Sequence, residues 1–268
     1  MEFVRTKEKD VSMILAIDIG NTNTSIGCID DGKIKHVFRI STNIAKTADE
    51  CAADMKSILG FYAVNVTKID GAIISCVVPP LTLVFRNAVK LLAGVDTLVV
   101  GAGVKTGMNI LIDDPGQLGG DMVATAVGAL DVYEPPIIIV DMGTATKMCV
   151  INKNGSFIGG AIAPGISLSM NALATGTSQL PRVPLEAPIS CISANTIDCM
   201  KSGAIFGAAS MIDGMTERFE AELGGSATII ATGGLAETVY RYCKRDVIYD
   251  PHLVLHGLGI IYEKNKRK

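Results

Sequence analysis

The sequence predicts an α/β protein built from two halves that open in the same way, and three observations lead there. AIDIGNTNTSIGCIDDG (residues 16–32) and VDMGTATKMCVINKNG (residues 140–155) share one order: an apolar run, an Asp, a Gly two places on, hydroxyl side chains, a second apolar run and a turn that ends in Gly. Asp18 to Asp141, Gly20 to Gly143 and Gly32 to Gly155 are each 123 positions apart, so the repeat reads as ungapped. Behind each copy, apolar segments of strand length alternate with segments of helical period, the pattern of layered α/β folds.

Each element follows from local chemistry. Residues 13–17 and 137–140 are short β-branched-rich runs ending at an Asp, which predicts buried central strands. Second strands follow at 25–29 and 148–151. The turns Asp30-Asp31-Gly32 and Asn152-Lys153-Asn154-Gly155 close hairpins onto third strands at 33–40 and 156–163. The first half continues with helices at 48–64, 81–92 and 121–132 and strands at 69–75 and 97–100. Adjacent prolines in 133–136 cannot continue a helix and mark a linker. Asn195 and Thr196 supply a cap for a long helix to about Leu223. Its stripe of Met200, Gly203, Gly207, Met211 and Met215 predicts close approach by another helix, within the chain or across a two-fold axis. A strand at 227–231, a turn at 232–234 and helices to Val239 and over 251–262 complete the second half. The resulting division is a flexible prefix at 1–12, one domain at 13–133 and another at 134–268.

Composition narrows the function classes. A chain of 268 residues has room for two domains. With 49% hydrophobic residues and no bilayer-length apolar run, a membrane role is not expected. A net charge of −3 gives no electrostatic footprint for nucleic acid, and the basic cluster at 264–268 reads as a solvated tail. The charged first dozen residues lack the apolar stretch of a signal peptide. Seven cysteines without a Cys-x-x-Cys pair read as reduced thiols of a cytoplasmic protein. His252 and His256 are spaced to share a helix face, but no further ligand stands nearby in sequence, so a surface pair is expected rather than a metal site.

The repeated string suggests phosphate binding. A Gly after a strand-ending Asp lets the backbone approach a ligand closely. Amides and hydroxyls of Asn21, Thr22 and Thr24, and of Thr144 and Thr146, are then donors for phosphate oxygens, while Asp18 and Asp141 face accompanying cations. The late Ala231-Thr232-Gly233-Gly234-Leu235 places two glycines between a strand and a helix, a further seat for a nucleotide. No Rossmann or Walker pattern occurs.

These motifs together resemble the actin, Hsp70 and sugar-kinase superfamily, whose fold is two ribonuclease-H-like domains flanking an ATP cleft. Within it, DIGNTNTS (18–25), DDPGQLGGD (113–121), VDMGTAT (140–146), GGAIAPGISLSMNAL (159–173) and ATGGLA (231–236) resemble type III pantothenate kinase. The resemblance implies ATP-dependent phosphorylation of pantothenate to 4'-phosphopantothenate, opening coenzyme A biosynthesis. It implies that Asp18, Ile19, Gly20, Asn21, Thr22, Asn23, Thr24 and Ser25, with Thr144, Gly233 and Gly234, contact ATP. Asp18 falls on the Mg2+ side, and Asp141 holds a monovalent cation, K+ or NH4+. Asp121 is the implied catalytic base, and Gly119, Gly120, Asp121, Met122 and Thr196 the implied pantothenate contacts. The family's habit further implies a homodimer with the substrate site at the interface. Taken on its own, an Asp at the start of a helix is equally an ordinary N-cap.

The match departs from the family pattern at three places. Met122 follows Gly119-Gly120-Asp121 where an Arg is common, removing a bidentate donor for the substrate carboxylate. Ile112 stands where some members carry a Tyr. Lys147 replaces a small polar residue beside the second phosphate loop, where it could assist ATP or take over the electrostatic role of potassium. Two alternatives are therefore carried: a kinase of the same fold for another small hydroxylated substrate, and a non-catalytic ATP-binding regulator.

Overall fold

Sequential strand pairing builds two sheets of the same topology, seen in a computed structural model that describes residues 13–266; the prefix at 1–12 lies outside them. Met13–Ile19 (β1) pairs antiparallel with Asn23–Asp30 (β2), which pairs with Lys33–Ser41 (β3). Ile69–Cys76 (β4) joins β1 in parallel on its other side, and Thr97–Val99 (β5) extends the edge, giving the order β3-β2-β1-β4-β5. The second sheet repeats this with Ile137–Met142 (β6), Ala145–Ile151 (β7), Phe157–Pro164 (β8), Thr228–Thr232 (β9) and Ile248–Tyr249 (β10), in the order β10-β9-β6-β7-β8. β1 and β6 are covered on both faces, with consecutive residues buried, which is why they are nearly continuous apolar runs and not alternating ones.

Helices follow their end signals. Ala48–Phe61 (α1) starts at a capping box in which Thr47 and Glu50 bond each other's backbone. It stops three residues short of the expected end because Ala63 turns left-handed, at φ 53°. Pro79–Ala93 (α2) begins two residues early, since a proline is accepted in a first helical turn, and ends at Gly94 with φ 73°. Asn195 caps Thr196–Leu223 (α5) as expected, accepting from the Asp198 amide at 2.9 Å. Two elements have no counterpart among the expected ones: Ile166–Gly176 (α4), which has no side-chain cap, and β10, which is only two residues long. The remaining helices are Gly120–Val132 (α3), Ala236–Val239 (α6) and Leu253–Asn265 (α7). His252 precedes α7, so it does not share a helix face with His256.

Two compact units result. Of the described residues, the first comprises 13–107, Gly116–Gly128 and 254–266; the second comprises Met108–Pro115 and Ala129–Leu253. The cut expected at 133/134 differs at three points: α7 from Val254 on belongs to the first unit, Met108–Pro115 belongs to the second, and α3 contributes to both. In the first unit α1 and α2 cover one face of the sheet through Met55, Leu59, Leu81 and Phe85, packed with Leu15, Ile17 and Ile26. On β2, Gly27 leaves room for Leu255 of α7, and α7 in turn meets α3 at Gly257. In the second unit Ile205, Ala209 and Ile212 of α5 and Met170 of α4 pack on Ile138, Val140 and Ile229.

Burial of thiols sets an alkaline limit to stability. Desolvation raises the Cys28 thiol to about 11 and the Cys243 thiol to about 12, from 9.0. The unfolded chain therefore loses these protons first as pH rises. Stability is full below pH 9 and declines as pH climbs through 11 and 12. Denaturant midpoints at pH 8 and pH 10.5 should fall in that order, and a Cys28→Ala variant should lose part of the difference.

Candidate functional site

In the first unit, strand register lines up three polar side chains. Asp18 stands opposite Ser25 on β2 and beside Ser75 on β4, so the three share one row on one face of the sheet. Ser75 is fully buried, and its hydroxyl lacks a hydrogen-bond partner among the described residues. Sequence reasoning does not select Ser75. The available signal is a polar residue near the end of an apolar run, as at Asp18.

The loop beyond this row exposes Asn21, Thr22 and Asn23. The Gly20 amide donates to the Asn23 carbonyl at 3.1 Å, and a Cβ on Gly20 would lie 2.9 Å from that oxygen, so only glycine fits. The Thr24 side chain, expected among the phosphate donors, is turned inward: it is fully buried and its hydroxyl bonds Thr42 at 3.0 Å.

Asp121 also belongs to the first unit. The Gly119 carbonyl accepts the first helical bond, from Val123 at 3.1 Å, so Gly119 is the N-cap of α3 and Asp121 stands inside the first turn. The plain N-cap alternative for Asp121 therefore does not apply. A Cβ at residue 119 would lie 2.5 Å from Asp121 Oδ1, and one at residue 120 would press on Val100 at 3.3 Å. Gly119 makes the space in which the carboxylate sits, and Gly120 lets the helix start pack on Val100. Ile112 lies in the second unit, unlike Met122.

The second unit repeats the polar row with one change. Asp141 stands opposite Lys147 on β7 and beside Thr232 on β9. Ile19 pairs with Thr24 across the first loop, whereas Met142 pairs with Thr146 across the second, so the second loop is one residue shorter. The turn after β7 is one residue longer, as Ile29 pairs with Ile34 but Ile151 with Phe157, and this restores the offset at Gly155. The apparently ungapped repeat thus hides two compensating changes. Lys147 corresponds to Ser25, not Thr24, and its Nζ lies 2.8 Å from Asp141 Oδ2.

The other oxygen of Asp141 meets the late glycine turn. Gly233 has φ 92°, and a Cβ there would sit 2.6 Å from Asp141 Oδ1 and 2.7 Å from the Met142 amide nitrogen. The helix after this turn, α6, spans four residues. The turn therefore contributes by packing against the second phosphate loop rather than by a long helix N-terminus. Gly165, which starts α4, backs onto the same loop: a Cβ there would overlap the Thr144 carbonyl. Gly143 is under no such constraint, with its nearest neighbour at 3.7 Å. Thr144 is exposed on the loop, whereas Thr146 is buried.

Beside this loop lies a pocket of about 510 Å³ between β8, α4 and α5, lined by Thr146, Ile166, Met170, Thr196, Gly203 and Gly207 among others. Thr196 reaches it from the first turn of α5. A Cβ on Gly203 or Gly207 would meet nothing within 4 Å, so among the described residues no helix approaches there. Within the chain the close-helix expectation fails at these two glycines, while Met200 and Met215 of the same stripe pack into the core of the unit.

The type III pantothenate kinase family pattern matches residues 14–218. The chain belongs to that family. It is 40% identical over 256 residues to a type III pantothenate kinase of a Geobacillus species, covering 96% of this chain and 99% of the relative. A type III pantothenate kinase of Halalkalibacterium halodurans is 40% identical over 253 residues, 94% of this chain and all of the relative. Among solved structures, a Sinorhizobium meliloti protein provisionally described as a 2-dehydro-3-deoxygalactonokinase matches with a TM-score of 0.55 at 14% identity, over 95% of this chain and 97% of that one. A reductive activator for a corrinoid, iron-sulfur protein gives 0.53 at 11%, over 94% and 60%. At such identities these last two show the fold alone, the sugar-kinase-like α/β architecture expected from the hairpin pair. The chain is thus a pantothenate kinase, an enzyme of coenzyme A biosynthesis that takes ATP with a divalent cation and a small-molecule acceptor. Among the described residues no helix is long and apolar enough to cross a membrane.

Proposed function

We propose that the chain transfers the γ-phosphoryl group of MgATP to the primary hydroxyl of pantothenate, with Asp121 as general base. The hydroxyl proton passes to the Asp121 carboxylate as the oxygen attacks phosphorus, and ADP leaves. The observation that carries this reading is the matching polar row closing each sheet, Ser25-Asp18-Ser75 and Lys147-Asp141-Thr232, in a chain of this family. Each row ends at a loop that offers exposed amide and hydroxyl donors. Phosphoryl transfer asks for positioning and charge neutralisation more than for covalent help, and these rows supply both.

The first row suits Mg2+. Its groups are all oxygen donors, and the orphaned Ser75 hydroxyl is ready for a metal-bound water or a phosphate oxygen. There the metal would neutralise charge on the β- and γ-phosphates. Residues 18–25, Thr24 through its backbone only, hold ATP with Thr144, Gly233 and Gly234, while Gly119, Gly120, Met122 and Thr196 hold pantothenate. Lys147 takes over at Asp141, so the monovalent cation expected there does not fit.

We read the protein as a homodimer. Ile162 on β8, Leu168 and Leu173 on α4 and Ile197 on α5 are exposed on the elements that line the pocket beside Gly203 and Gly207, apolar surface that a second copy would cover, completing the substrate site. A cytoplasmic location follows from the substrate and ATP supply.

The direct test is ADP release by the purified protein with MgATP, with and without pantothenate, together with mass detection of the phosphorylated acid. Pantothenate-dependent release with a product gain of one phosphoryl group is the expected result. ATP binding without pantothenate dependence would move the search to another hydroxylated acceptor.

A further inference from the structure

Lys147 breaks the symmetry of the two polar rows. In the first, the position opposite the aspartate holds a serine; in the second, it holds an ammonium group 2.8 Å from the carboxylate. The pairing is set by the backbone, because residues directly opposite on antiparallel strands project to the same face. Both partners are four-fifths covered, with side chains 20% and 19% exposed, so water screens the pair only partly. Asp141 Oδ1 is hemmed in by the positive-φ turn at Gly233, and Oδ2 is engaged by Lys147. A free monovalent ion at this carboxylate would have to displace Nζ or lie against another positive charge. Either is unfavourable, and Oδ2, one of the two carboxylate oxygens that would replace its hydration shell, is already engaged.

We infer that Lys147 is the resident cation of the second phosphate loop, standing where a potassium or ammonium ion would otherwise neutralise Asp141. The inference rests on the reading of this loop as an ATP contact. The site carries its positive charge covalently, so it does not depend on the ionic composition of its surroundings. Lys147 is a positioning residue here: it fixes the Asp141 carboxylate and contributes a constant charge beside the phosphate path.

The test compares the whole protein in KCl with the protein in tetramethylammonium chloride at equal ionic strength. MgATP affinity is read by calorimetry, thallium(I) binding by 205Tl NMR, and pantothenate-dependent turnover beside them. The unaltered chain should show equal MgATP affinity in both salts and no saturable thallium signal. Lys147→Thr should lose about 10- to 100-fold in MgATP affinity in tetramethylammonium, the scale of one lost charged hydrogen bond, and regain it in potassium with a new thallium site. Lys147→Met, which keeps the aliphatic stem, should lose affinity without potassium rescue and guards against a packing artefact. Potassium-dependent MgATP binding or thallium binding by the unaltered chain would overturn the inference, as would a Lys147→Thr variant indifferent to the cation. Binding readouts decide the point even if pantothenate proves not to be the acceptor; failure of turnover alone strikes the proposed function instead.

Discussion

Asp121→Asn lowers pantothenate-dependent turnover by about 10²- to 10⁴-fold while leaving MgATP affinity nearly unchanged, the range expected when a positioned general base is removed. Asn preserves the size and planarity of the side chain, so the space left by Gly119 stays filled. The backbone of the first turn is unaffected too, since the Thr125 hydroxyl donates to the Asp121 carbonyl at 2.7 Å and the Val123 amide to Gly119. The amide cannot accept the substrate proton. Steady-state kinetics at saturating ATP, with the Kd for MgATP from calorimetry, separate the two effects. Turnover within a few-fold of the unaltered enzyme would place the base elsewhere.

Gly257→Ala costs about 1–3 kcal/mol of stability or more, the range for overpacking a core contact, and reduces activity with it. The added methyl would overlap the Ala124 carbonyl oxygen and crowd the Gly128 nitrogen of α3. These are backbone atoms, so no rotamer change relieves the clash and the two helices must separate. The same helix α3 carries Asp121 in its first turn, so the displacement reaches the proposed base. Thermal denaturation should show a lowered midpoint, and the fraction that remains folded should have lower kcat. By contrast Gly207→Ala, where a Cβ meets nothing within 4 Å, should leave monomer stability almost unchanged. A variant Gly257→Ala with an unaltered midpoint would mean that α7 does not pack on α3 in solution.

Much of the fold and part of the site are legible in the sequence. Strands buried on both faces must be apolar throughout, so β1 and β6 stand out as unbroken runs, and an Asp ending each run marks the loop that follows. Capping chemistry is local, which is why Asn195 marks the start of the long helix α5 in the sequence alone. α4 and β10 are not legible for the same reason in reverse: the one has no side-chain cap and the other no length over which a period can be read.

Sequence by itself determined the repeated architecture, the family and the cast of polar residues other than Ser75, because these depend on residue type and spacing along the chain. Tertiary structure decided which of them meet. Pairing register moved Lys147 from the counterpart of Thr24 to the counterpart of Ser25, and so onto Asp141, through two compensating one-residue changes that an equal offset conceals. It brought Ser75 beside Asp18 across a parallel crossover, buried the Thr24 hydroxyl against Thr42, and left Gly203 and Gly207 facing open space. The physical reason is that cross-strand and interhelical neighbours are set by hydrogen-bond register and packing between segments far apart in the chain, and spacing along the chain does not encode them.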